Sequence, residues 1–571
     1  YTFRTIGNIY GEYHFIPSLS MRVEAGGDIT NLSQDRYSGS GSNYGQSVGG
    51  YGEVFTNTVE NYDVKLLLKY NRTFKQKHET EVTGGVEYQP YRGFYSKVDG
   101  QSFPNDDLKT LASAAEIVYG TSVLDQYRFL SYFARANYSY NKKYLLAVSG
   151  RFDGSSRFGT ENRYGFFPSI SAGWILTDES FLSDNSTLSF LKLRTSYGVT
   201  GNAGIGNFQY LGLYSASSYN QLPTLYPYNI ANPDLKWEKT AQFDIGIDYG
   251  FFDNRLNGEL DYYFKNTSDL LLDVPIAATT GFLVQTQNIG KMQNTGIELT
   301  INGDILVSKF KWSAGINFAA NRNKVVALAP GQDLIDEGGS EAMNVVKVDE
   351  PFGVFYGVEY AGVDPDNGDA LFYINDPENP SRATTNDFNA ANFVVLGDPN
   401  PDFIAGMTNS MSYMGFTLDF SFQSVYGNDV NLNGDHWMES NGTYFDNQTT
   451  AIINAWQQPG DVTDVPQARL TFENGNQFRL SRYISDGSYL RLKTLTLGYS
   501  LPSKIIEHVK INSLRFYVSA YNLITFTGYR GWDPEVSSDV YNTYSDPVDV
   551  GVDFYSAPQP KTVVLGLSLG L

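Results

Sequence analysis

The sequence predicts an all-β protein, an antiparallel transmembrane β-barrel, and three observations carry that reading. Apolar and polar residues alternate with a period of two, the apolar content is aromatic and β-branched, and short turns alternate with long polar connections.

The alternation is clearest between Trp237 and Phe251. There Trp237, Ala241, Phe243, Ile245, Ile247, Tyr249 and Phe251 interleave with Glu238, Thr240, Gln242, Asp244, Gly246, Asp248 and Gly250. Successive strand side chains point to opposite faces, so this segment has a greasy face and a wet one. A helix would scatter the same residues around its circumference. Leu256 to Lys265, Phe310 to Phe318 and Phe416 to Gln423 repeat the pattern, and further runs begin near Leu19, Val64, Val82, Tyr132, Leu191, Ile297 and Leu514. The chain opens in strand-like sequence from Tyr1 to Phe15. It closes on Val563, Leu565, Leu567, Leu569 and Leu571, where barrels more often end in an aromatic residue. Roughly 16 to 18 such runs occur, each about ten residues long, the span of a tilted membrane strand.

Composition agrees. Of 571 residues only 41% are hydrophobic, yet 15% are aromatic, with 42 Tyr and 37 Phe, residues suited to pleated surfaces. No run reaches the ~18 consecutive apolar residues of a membrane helix. A barrel strand needs none, because only every second side chain meets lipid. With no cysteine, disulfide stapling and thiol chemistry are excluded. A formal charge of −21 makes nucleic acid a poor partner. A soluble sandwich array or propeller also alternates, with its polar face outward; sequence leaves open which face is out.

Tyr140-Asn141-Lys142-Lys143 and Phe252-Asp253-Asn254-Arg255 read as tight turns. Tyr91 to Gln126, Gly201 to Asn232, Asn323 to Pro351 and Val425 to Phe478 read as long loops, the asymmetry expected of a barrel. No linker marks a second domain, so 1–571 is read as one barrel domain.

No catalytic constellation stands out, and no enzyme is predicted. The histidines, His14, His78, His436 and His508, lack ligand spacing. Asp364, Asp366 and Asp369 sit in a turn reminiscent of a calcium loop, but Asn375 holds the place of its bidentate acid, so a structural acidic turn is the preferred reading. Arg151, Asp153 and Arg157, with Ser155 and Ser156, form a polar cluster at a strand end, either lumenal or a turn held by charged hydrogen bonds. Tyr210, Tyr214, Tyr219, Tyr226 and Tyr228 crowd one loop, and His436, Trp437, Tyr444 and Phe445 another. Their rings could stack on sugars or pack against a partner protein.

Several segments occur in collinear order across almost the whole chain. They include Tyr132-Phe133-Ala134-Arg135, Arg151-Phe152-Asp153-Gly154-Ser155-Ser156-Arg157-Phe158-Gly159, Tyr197-Gly198-Val199-Thr200-Gly201-Asn202 and Asn232-Pro233-Asp234-Leu235-Lys236-Trp237-Glu238. Later come Ser488-Tyr489-Leu490-Arg491-Leu492-Lys493 and Gly531-Trp532-Asp533-Pro534-Glu535. In these the chain resembles the SusC-like branch of TonB-dependent outer-membrane transporters of Bacteroidetes. The resemblance implies a 22-stranded barrel holding an N-terminal plug, capped by a SusD-like surface lipoprotein and driven by TonB acting on the plug. The plug and the first strands have no counterpart here, and no export signal is visible, so the sequence reads as the C-terminal part of a longer precursor. The strands not seen are expected to exist, as another chain or an omitted segment, because open strand edges are costly in lipid.

The functional expectation is energy-dependent import of an oligomeric nutrient across the bacterial outer membrane, a glycan first and a peptide next. A passive porin and a surface binding or adhesion protein are the alternatives. No cofactor is expected beyond the calcium reading of the Asp364 turn.

Overall fold

Lipid offers a backbone amide nothing to bond to, so a chain that crosses a bilayer as strands must pair them side by side. The computed structural model describes residues 1–571 apart from 183–184, 221, 337–342, 379–380, 441, 445, 470–473, 503–504, 506–510, 536–549 and 571. Seventeen of its strands form one antiparallel sheet, within the range the alternation predicts. They are β1 (Thr2–Ile16), β2 (Leu19–Ser38), β3 (Tyr51–Phe74), β4 (His78–Gln101), β5 (Glu116–Tyr140), β6 (Tyr144–Ser155), β7 (Tyr164–Ile175), β8 (Leu188–Asn202) and β9 (Glu238–Phe251). The rest are β10 (Leu256–Ser268), β11 (Lys291–Val307), β12 (Phe310–Ala327), β13 (Phe403–Tyr413), β14 (Phe416–Tyr426), β15 (Tyr489–Ser500), β16 (Ser513–Thr527) and β17 (Thr562–Gly570). No helix among the described residues is long and apolar enough to cross a membrane.

The chain divides into two compact units, one holding β1 to β7 and the other β11 to β17. In the first, register aligns Val23, Leu66, Val86, Tyr132, Phe152 and Phe166 in a single row across β2 to β7. The neighbouring row, on the opposite face, reads Glu24, Lys65, Glu87, Ser131 and Asp153. In the second unit Ile301, Ile316, Met407, Phe422, Leu492 and Ile524 share a row across β11 to β16. Beside it lie Asn302, Gly315, Thr408, Ser421 and Thr494. Each strand thus contributes one rung to an apolar band and the next to a polar one.

Exposure decides which face is outside. Leu66 and Leu68 are 46% and 50% exposed, while Glu87 on the other face is 7% exposed and ion-paired. A sandwich or propeller would bury the leucines and expose the carboxylate. The apolar face is therefore the outer one, and the polar face is turned inward.

Three expectations are corrected. Tyr91 to Gln126 is not one long loop: β4 and β5 pair continuously through Tyr91↔Tyr127 and Asp99↔Tyr119, leaving 102–115 as the connection. Polar strands remain strands once cross-strand hydrogen bonds are available, so the wall strands run from 9 to 25 residues rather than ten. Trp237 continues the alternation but lies just outside β9, buried in a loop core. The tight turns at Asn141-Lys142 and Asp253-Asn254 form as expected, all four residues having positive φ.

The orientation of the faces predicts an asymmetric response to charge. Leu66→Arg should cost about 2–4 kcal/mol of barrel stability near the bilayer midplane. Asn71→Arg, on the wet face opposite Glu81, should cost under about 1 kcal/mol. Folding titrations of the complete protein into lipid vesicles check the difference.

Candidate functional site

Functional chemistry in such a wall is sought on its polar face and in the long connections. On the polar face of the first unit, β3, β4 and β6 bring together Lys65, Glu87, Arg151 and Asp153. Lys65 Nζ lies 3.1 Å from Glu87, Arg151 reaches Glu87 at 2.9 Å and Asp153 at 3.0 Å. The second unit has a parallel device around Arg194. Its Nε donates to Asp248 at 2.7 Å and its Nη2 to Asp261 at 2.5 Å, while Lys192 shares Asp248 at 2.9 Å. A planar guanidinium fork holds two carboxylates from adjacent strands in a fixed geometry, where the ammonium of Lys65 joins Asp63 and Glu87 as a compact point charge.

Of the three residues expected in one lumenal cluster, Arg151 and Asp153 are joined and Arg157 is elsewhere. Arg157 donates to Asn207 Oδ1 at 2.9 Å and to the Ala203 carbonyl at 2.8 Å, and lies over the Tyr127 ring. It belongs to a loop core made of Phe158, Phe167, Ala203, Ile205, Leu235 and Trp237. Trp237 Nε1 donates to the Arg163 carbonyl at 3.0 Å, which satisfies the one polar atom this ring takes into the core. The segments around Arg157 and around Trp237, far apart in sequence, are thus two halves of one packing unit.

The second unit couples its segments by charge. Arg491, 1% exposed, donates to Asp533 at 2.5 Å and Glu535 at 2.8 Å, and Lys493 completes the group on Glu535 at 2.9 Å. The Tyr489 and Trp532 segments of the chain therefore meet through a buried ion group, which sequence distance conceals.

The loop aromatics separate into three environments. Tyr214, Tyr219, Tyr226 and Tyr228 are exposed, the first three on a hairpin of Tyr214–Tyr219 with Leu222–Pro227. Tyr210 packs against the Trp237 core instead. Trp437 and Tyr444 stand 4.6 Å apart between ring centroids and surround His436, which stacks on Phe478. Phe445 lies outside the described residues. Of the calcium-like turn, Asp369 is bound to Arg469 at 2.6 Å and to Asn386 at 2.8 Å, and Asp364 Oδ1 accepts the Asp366 amide. Gly368, at φ 77°, makes the reversal. No group of three or more His, Asp or Glu placed to hold a metal occurs among the described residues.

Sequence reading passed over Asp435 and placed His436 only among the aromatics of its loop. Burial raises the Asp435 carboxyl to about 7, with Glu439 and Asp553 reinforcing the shift. Burial also pushes the His436 imidazole down to about 4. Asp553 accepts the Tyr529 hydroxyl at 2.6 Å, and Arg482 reaches Glu439 at 3.4 Å, so the two acids that face Asp435 are held by neighbours on two further segments. An adjacent acid and histidine in a polar loop show nothing of this in sequence.

Comparison with known proteins follows the same lines. Residues 4–523 match the family described as TonB dependent receptor-like, beta-barrel. TonB-dependent receptor P3 of Formosa agariphila is 34% identical over 98% of this chain and 57% of its own length. TonB-dependent receptor SusC of Bacteroides thetaiotaomicron is 30% identical over 99% of this chain and 55% of its own. A solved structure of the RagAB peptide transporter superposes with a TM-score of 0.88 at 29% identity, covering 100% of this chain and 62% of that one. The chain spans between half and three fifths of the length of the curated relatives it matches.

The two buried titrations predict opposing pH effects on the loop. The stabilising contribution of Asp435 is full below an ordinary carboxylate value near ~4 and is lost as pH rises to about 7. That of His436 is full above ~6.5 and is lost as pH falls to about 4. The two nearly cancel in the native protein. Asp435→Asn should expose the histidine alone, so the protection of 427–439 against hydrogen exchange, taken relative to the intrinsic rate at each pH, should fall as pH falls from ~6.5 to ~4. In the native protein that protection should change little.

Proposed function

Because this chain belongs to the TonB-dependent receptor family, in its SusC-like branch, and forms outer-membrane barrel wall, we propose that its protein imports an oligomeric nutrient in a TonB-dependent cycle. The observation that carries this is similarity to SusC and to the RagAB transporter across essentially the whole chain, in sequence and in fold. The family is one of transporters rather than enzymes. The work required of the protein is conformational.

The remaining wall strands and a plug are assigned to the rest of the protein. Every residue of β1 is exposed, and so are all but two described residues of β17. In lipid such strands call for neighbours, since an unpaired amide there costs several kcal/mol. The partners in this reading are TonB, acting through the plug, and a SusD-like lipoprotein lid over the long loops.

A glycan is the first choice of cargo. The exposed Tyr219 and Tyr226 share one face of the hairpin with the hydroxyls of Ser215, Ser217 and Thr224, a combination suited to stacking and bonding a sugar, while Tyr214 stands on the other face. A peptide is the second reading, favoured by the likeness to a peptide transporter. Either reading assigns no resident cofactor.

The complete receptor, tagged and drawn from its native membrane, should bring down a SusD-like lipoprotein, and cells carrying it should take up labelled oligosaccharide only while the proton gradient stands. Tyr219→Ala with Tyr226→Ala should cut that uptake about tenfold or more, two lost stacking contacts of ~1 kcal/mol each. Uptake insensitive to an uncoupler, with no lipoprotein recovered, points to a porin instead. Uptake of peptides but not oligosaccharides selects the second reading.

A further inference from the structure

At the short-turn end of the first unit the wall carries a cluster of positive charge, in a protein whose formal net charge is −21. The β3–β4 turn presents Lys75 and Lys77, and the β5–β6 turn presents Lys142; the Asn141 amide donates to the Lys77 carbonyl at 2.7 Å, which locks the two turns side by side. Lys75 and Lys142 sit at φ 49° and 59°, in the left-handed region that Gly and Asn occupy more cheaply. Arg72, on the apolar face, lies over the Phe74 ring at 5.0 Å. Lys75 and Lys77 have no ion-pair partner among the described residues, and Lys142 is 3.9 Å from a half-exposed Glu79. The acids nearby, Glu79 and Glu81, share the register parity of the inward face with Lys65 and Glu87.

Around these cations the outer face becomes aromatic. His78 bonds the Tyr138 hydroxyl at 2.7 Å, and Tyr140, Tyr144 and Trp174 follow one another at 6.2 Å between ring centroids. Such a girdle marks the level where acyl chains give way to headgroups. Further into the apolar band, the exterior of β4 to β7 holds a groove of about 570 Å³ lined by Val82, Ala136, Val148, Phe166, Pro168 and Ile170. Cation, girdle and groove therefore stack in the order of a phospholipid's own headgroup, interface and tail. In outer-membrane barrels the short turns face the periplasm, where the leaflet is phospholipid.

We propose that the rim built from the β3–β4 and β5–β6 turns binds the headgroup of an anionic phospholipid whose acyl chain lies in the groove on β4 to β7. Lysines at a lipid surface attract anionic headgroups additively, and Arg72 is placed to reach the phosphate from the apolar side.

The test is native mass spectrometry of the complete detergent-purified receptor titrated with phosphatidylglycerol or phosphatidylcholine. The native protein should retain phosphatidylglycerol preferentially. Lys75→Gln, Lys77→Gln and Lys142→Gln together should weaken that retention at least about tenfold, each lysine near the surface contributing severalfold. If the triple variant does not assemble, raising NaCl to ~1 M on the native protein should remove the preference, because the charges are exposed and screened. Equal retention of both lipids by the native protein, an unchanged preference in the triple variant, or a preference indifferent to salt each overturns the proposal. So does displacement of the lipid by soluble glycerol phosphate at equal concentration, which would make the site one for free phosphate.

Discussion

The constraint on which everything else in this wall depends is that lipid supplies no hydrogen-bond partner. Each strand must satisfy its amides on its neighbours, and the register that results decides where every side chain points. A one-residue slip between β3 and β4 would carry Lys65 to the face of Leu66 and put its charge in the bilayer. The pairing is therefore fixed twice over, once by the backbone ladder and once by the cost of misplacing Lys65, Glu87 or Arg151.

The inward face pays for its charges locally. Arg194 is matched by Asp248 and Asp261, and Arg151 by Glu87 and Asp153, so polar residues that cannot all reach bulk water still have partners. Above the wall, the long connections are not slack polymer. They are organised by the Trp237 core in one unit and by the Arg491 ion group in the other, with Val358, Phe372, Leu480 and Tyr483 forming a further apolar core in the second. Exposed tyrosines on a hairpin are then presented by a supported base rather than by a free loop.

The fold was legible in the sequence because strand parity is a local property that survives without its neighbours. Val64, Leu66 and Leu68 announce their face by spacing alone. Strand ends were less legible: Tyr91 to Gln126 reads as loop because Asp99, Gly100, Pro104, Asn105, Asp106 and Asp107 interrupt it, and only the partner strand shows that its two ends pair. Trp237 misled for the opposite reason, since it carries the period of β9 one residue before the strand begins. Of the candidate residues, Arg151 and Asp153 lie together because they are two apart on one strand. Arg157 lies apart from them, because its partners Ala203 and Asn207 come from a connection far along the chain. The buried Asp435 and the Arg491 ion group depend on packing between distant segments, which no spacing encodes.

The central claim is that Tyr62, Val64, Leu66 and Leu68 face lipid while Asp63, Lys65 and Leu67 face inward. The chain has no cysteine, so single cysteines can be placed at each position from 62 to 68 in the complete protein and spin-labelled without background. Collision rates with oxygen, which concentrates in lipid, and with a water-soluble nickel chelate then report each label's surroundings. Oxygen accessibility should peak at 62, 64, 66 and 68 and fall at 63, 65 and 67, with period two. A flat profile, or one with the peaks at the odd positions, would contradict the account.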